Sequence, residues 1–122
     1  MDKEEYENGF EEFLLSGIDN EAKLRYKAAV SDYFKALTEL NSFIITTKLL
    51  KSPQSHNEVF LFLRINFPEI HKIADDLFGI YTSSYNKKMT KEDCEKIKDG
   101  IRNVIEISGV SEKIKRIAEK IS

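Results

Sequence analysis

The chain has 122 residues, 33% of them charged and 41% hydrophobic, with a formal net charge of −2 at pH 7. That balance suits one globular domain over 1–122 and excludes both a disordered tail and a chain of membrane spans, since no apolar run approaches the roughly 18 residues that a spanning helix needs. A single cysteine, Cys94, excludes an internal disulfide, and with only two histidines neither a metal site nor a cofactor is expected.

The charge is unevenly spread. Residues 1–21 hold eight acids against Lys3 alone, a net of −7, which leaves +5 for the remainder. Either an acidic first helix packs on a basic body, or a basic surface for nucleic acid is partly masked by that segment. The start Met-Asp-Lys-Glu-Glu is acidic where a signal peptide is basic and then apolar, so a cytoplasmic protein is expected.

Taken in chain order, Tyr6, Phe10, Phe13 and Leu14 repeat at helical spacing and predict a first helix over 3–16, stopped by Gly17. From Glu21 to Ser52 neither glycine nor proline occurs, which predicts one long helix capped by Asp19 or Asn20. Two seams run along it: Tyr26, Val30, Tyr33, Leu37, Leu40 and Ile44, and beside them Ala22, Ala29, Ala36, Phe43 and Leu50. Two adjacent seams require a broad buried face, so this helix is expected to be the central mast of a bundle. Beyond Pro53, Val59, Phe60, Leu63 and Phe67 predict a third helix, whose run Val-Phe-Leu-Phe-Leu suggests deep burial. Pro68 opens a fourth helix, in which Ile70, Ile73, Ala74, Leu77, Phe78 and Tyr81 keep a three-four rhythm.

A polar link follows, and then Thr90 to Asp93 form a capping box, with Met89 and Cys94 at the positions of a hydrophobic staple. The fifth helix takes Ile97, Ile101, Val104 and Ile105 and ends at Gly109. Ser111 caps a short last helix that carries Ile114, Ile117, Ala118 and Ile121. The predicted fold class is all-α, an up-and-down bundle of four to five main helices plus a short C-terminal one.

Three blocks stand in order along this frame: Arg25-Tyr-Lys-Ala-Ala-Val-Ser-Asp-Tyr-Phe-Lys-Ala-Leu37, Ser52-Pro-Gln-Ser-His56, and Tyr81-Thr-Ser-Ser-Tyr85 before the Thr90 helix. Over roughly 22–108 the order resembles the HEPN domain, a helical family common in archaea and bacteria and often paired with a minimal nucleotidyltransferase. The resemblance implies a homodimer with a polar cleft near its axis. Many members of that family are metal-independent ribonucleases, including toxins, in which a histidine takes the 2′-hydroxyl proton while an arginine stabilises charge on the phosphate. Other members are binding or accessory subunits.

Arg64 and His71 have the spacing of that catalytic pair and are its candidates here. Ile65 follows the arginine where ribonuclease members carry Asn, Asp or His, and Pro68 breaks the segment between the two. The leading expectation is therefore a noncatalytic, homodimeric binding or regulatory module that acts with a nucleotidyltransferase partner or binds nucleotide or RNA. A ribonuclease using Arg64 and His71, and a structural scaffold subunit, are the alternatives. The candidate binding residues are His56 at a helix start, together with Tyr81, Ser84, Tyr85, Lys87 and Lys88, which combine hydroxyl and ammonium donors on one connecting element.

Overall fold

The computed structural model describes residues 3–122; Asp2, counted above among the acids, lies outside the described residues. The helices are α1 (Lys3–Ala22), α2 (Tyr26–Leu49), α3 (His56–Asn66), α4 (Pro68–Ser83), α5 (Lys91–Ser108) and α6 (Glu112–Ala118), followed by a 3-10 turn over Glu119–Ile121. No strand occurs among the described residues.

Cross-contacts fix the directions of the four long helices. Tyr6 of α1 reaches Ser52 beyond the end of α2, while Ser16 and Asn20 both donate to Asp32 near its start, so α1 and α2 are antiparallel. Phe34 stacks on Tyr81 near the end of α4, and Lys48 shares a hollow with Pro68 and Ile70 at its beginning, so α4 also opposes α2. Cys94 lies by the Tyr26 carbonyl and Ile107 by Lys48, which sets α5 along α2. The long helices therefore alternate up and down, with the shorter α3 set between α2 and α4.

The mast expected from the two seams is α2, which packs against α1, α3, α4 and α5. Val30, Tyr33, Leu37, Leu40 and Ile44 are buried, as are Ala29, Ala36 and Phe43 of the second seam. Each of the larger side chains contributes about 1.5–3 kcal/mol when fully removed from water, so this face dominates the core. At its far end, α5 begins with the complete Thr90–Asp93 capping box and ends on Gly109 at φ 60, as its sequence predicts; Ser111 caps α6.

The ends of α1 and α2 depart from expectation. Gly17 does not stop α1; it lies inside it, where a Cβ would come within 2.6 Å of the Tyr33 ring. The glycine serves close helix packing here, not chain reversal. The helix continues to Ala22 and ends in a Schellman arrangement, in which the Arg25 amide donates to the Asn20 carbonyl at 2.8 Å and the Leu24 amide to Glu21 at 2.9 Å. The left-handed residue of that motif is Leu24, at φ 61, where glycine is usual. An L-residue with a bulky side chain adopts this conformation at a cost of roughly 1–2 kcal/mol, which is why a stretch without glycine or proline hides the break. Asp19 and Asn20 accordingly sit in the last turn of α1, and Arg25 precedes α2 with no side-chain cap. Leu50 closes α2 in the same left-handed conformation at φ 56 and is 88% exposed, so it and Ala22 leave the second seam. The deep burial expected of α3 holds only for Val59 and Leu63, since Phe60 and Phe62 are half-buried and Leu61 is exposed. Packed mainly against α2 and α4, α3 keeps one face in water.

Candidate ligand groove

Where α1 turns into α2, the chain faces the link between α4 and α5 across an open groove of about 990 Å³. One wall is Leu24, Arg25, Tyr26, Lys27, Ala28 and Ser31; the other is Tyr81, Ser84, Tyr85, Asn86, Lys87, Lys88 and Met89. The first and third of the sequence blocks described above thus meet across it. Four cations, Arg25, Lys27, Lys87 and Lys88, line the groove and no carboxylate does. Among the described residues none of the four forms an ion pair. The adjoining hollow holds Asp76 and Asp93, but the first pairs with Lys72 and the second closes the Thr90 capping box. Lys87 and Lys88 line that hollow as well, so they stand between these two acids and the carboxylate-free groove.

Its aromatic side belongs to a continuous run of rings. Phe60 meets His71 edge-on at 6.0 Å and Phe78 at 5.6 Å; Phe34 lies against Phe78 and stacks on Tyr81 at 4.7 Å; Tyr81 meets Tyr85 at 5.7 Å. The buried end of this run anchors the exposed end, where Tyr85 is 67% accessible. The Tyr81 and Tyr85 hydroxyls lie 3.0 Å apart, and that hydrogen bond, with partial burial, raises the Tyr81 pKa above its usual value. The Tyr81 phenol therefore stays neutral at physiological pH, and one of the two hydroxyls donates to the other.

Of the residues singled out from sequence, Tyr81, Ser84, Tyr85, Lys87 and Lys88 come together here. Ser84 is buried and its hydroxyl donates to the Tyr81 carbonyl at 2.6 Å, so it shapes the wall and offers no free donor. His56 stands elsewhere, exposed on the first turn of α3 behind the Ser55 cap, in a smaller hollow with Tyr6, Glu39 and Ser42. Arg64 is exposed in the last turn of α3, and His71 is half-buried against Phe60. No hydrogen bond joins Arg64 to His71, and neither lines the groove. Arg25, Tyr26 and Lys27 stand outside the site expected from sequence, because a helix running on from 21 hides the turn that exposes them; the signal is the basic-aromatic triplet itself, matched by Tyr-Asn-Lys-Lys at 85–88.

On the other side of the same turn lies a second cluster of charges. Glu21, 8% exposed, accepts from the Tyr33 hydroxyl at 2.7 Å and pairs with Lys98 at 2.9 Å and Lys91 at 3.2 Å; Lys98 also meets Glu95 at 2.7 Å and lies over the Tyr33 ring. Burial works to raise the Glu21 pKa, but the hydrogen bonds from Lys98, Tyr33 and Lys91 outweigh it and hold the carboxyl below its ordinary value. Burial and the Glu21 charge push the Cys94 thiol up to about 11, so it stays protonated and inert. Of the acids of α1, Glu21 pairs with α5, through Lys91 and Lys98.

No group of histidines, cysteines and carboxylates suited to a metal ion occurs among the described residues, and no helix among them is long and apolar enough to cross a membrane. Comparison with family models, with curated proteins and with solved structures returned no match.

Proposed function

We propose that the protein is a noncatalytic, HEPN-like binding module whose ligand is RNA, held through its phosphates on the groove between the α1–α2 turn and the α4–α5 link. One observation carries this: Arg25, Lys27, Lys87 and Lys88, without ion-pair partners among the described residues, share a groove with Tyr26, Tyr81 and Tyr85. Cations neutralise phosphates and release counterions, while tyrosine hydroxyls add neutral donors. Arg64 and His71 lie outside the groove, so the same surface that would hold RNA does not bring it to the candidate catalytic pair. The homodimer and the nucleotidyltransferase partner implied by the family resemblance remain part of the proposal, with the groove left open to RNA in either assembly.

The test is fluorescence anisotropy of a labelled single-stranded RNA in EDTA, with the mass of the protein recorded by light scattering. Wild type is expected to bind and to leave the RNA intact, and Arg25→Glu/Lys87→Glu to lose about tenfold or more in affinity. Cleavage in EDTA that disappears in His71→Ala would instead establish the ribonuclease. Binding that is indifferent to the charge reversals would remove the groove from the function.

A further inference from the structure

The proposed RNA groove has one wall residue that electrostatics does not explain. Leu24 is 71% exposed, is held at φ 61, and lines the groove beside Arg25, opposite the wall that carries the 67% exposed Tyr85. Glycine would close the Schellman motif without strain, and a purely phosphate-binding rim has no use for an exposed aliphatic side chain. Leu50 has the same residue type and nearly the same backbone, at φ 56, but stands away from the groove and so provides an internal control.

We infer that Leu24 and Tyr85 are the two apolar jaws of the groove and that they grip the face of an unpaired nucleobase while the four cations hold the flanking phosphates. Resting on the RNA reading, this makes the ligand a single strand and not a duplex. A base inside a helix is stacked on its neighbours and presents no free face, whereas an unpaired base presents a π-face to an aromatic platform and an apolar lid. Tyr85 is suited to the platform: its ring is exposed, and it is held by the Tyr81 ring and hydroxyl. Leu24 is suited to the lid because the left-handed turn projects it free of the α1 and α2 packing faces, as its exposure records.

The experiment compares three labelled probes: a short uridine oligonucleotide, an abasic oligomer of the same length and charge, and an RNA duplex of that length. Wild type is expected to prefer the uridine strand to the abasic one by about tenfold, the worth of one stacked base, and to the duplex by a similar factor. Leu24→Gly and Leu24→Asn, both compatible with the left-handed turn, should lower affinity for the uridine strand more than for the abasic one and so narrow the preference to the part that Tyr85 alone supplies. Leu24→Gly should also melt a few degrees higher than wild type, as should Leu50→Gly, while Leu50→Gly binds every probe as wild type does. Equal binding of uridine and abasic strands by wild type, or undiminished uridine preference in both Leu24 variants, overturns the base grip while leaving phosphate binding standing. Failure to bind any probe overturns the RNA reading and the base grip with it.

Discussion

The two sides of the α1–α2 turn use the same side-chain types to opposite ends. On one side Glu21, Tyr33, Lys91 and Lys98 satisfy each other in a largely buried network. On the other, three residues along the chain, Arg25, Tyr26 and Lys27 face Tyr85, Lys87 and Lys88 with no carboxylate among them. Charges arranged to complete one another hold a fold, and charges of one sign gathered without a counter-charge are free to meet a ligand. Mutations on the first side should therefore alter stability, and on the second side binding.

The largest effect is expected from Lys98→Ala, which leaves Glu21 buried with only Tyr33 and the exposed Lys91. A loss of about 3 kcal/mol in urea unfolding is expected, with much of it recovered in Glu21→Gln/Lys98→Met, where no buried charge is left alone. Next comes Gly17→Ala, whose Cβ would meet the Tyr33 ring at 2.6 Å while that ring is tied to Glu21 by its hydroxyl. About 2 kcal/mol should be lost. Gly100→Ala should cost less, because the atom it meets is the flexible end of Leu77.

Acid should weaken the network side selectively. Because the folded Glu21 pKa lies below its ordinary value of 4.5, the stabilisation is complete above that pH and is lost as pH falls through the lower folded value. Glu21→Gln should flatten that part of the pH profile measured by thermal melting. The smallest effect on stability is expected from converting Arg25, Lys27, Lys87 and Lys88 together to glutamine. Unfolding should shift by less than about 0.5 kcal/mol, since no ion pair is lost; a large destabilisation would show that the groove cations support the fold.

The same turn marks where sequence reasoning succeeds and fails. The mast, the Thr90 capping box and the Gly109 stop were legible because local pattern and tertiary burial agree: Leu37, Leu40 and Ile44 keep their period, and Thr90 and Asp93 satisfy each other within one turn. The break at Leu24 was not, because it is made by a residue that disfavours the required backbone, and Gly17 misled because its small size serves Tyr33 and not a turn. Half of the groove was legible in the Tyr81 to Lys88 link. The other half, Arg25 to Lys27, depended on knowing that α2 begins at Tyr26, and the separation of His56 from this site depended on how α3 packs.

The most direct test of the groove is the salt dependence of its affinity for single-stranded RNA. If the four cations that line it each meet a phosphate, log K against log salt should fall with a slope of about −3, and the Lys87→Gln/Lys88→Gln variant should reduce this to about −1.5. Binding that is insensitive to salt, or a slope that the variant leaves unchanged, would contradict the assignment of these residues to an RNA site.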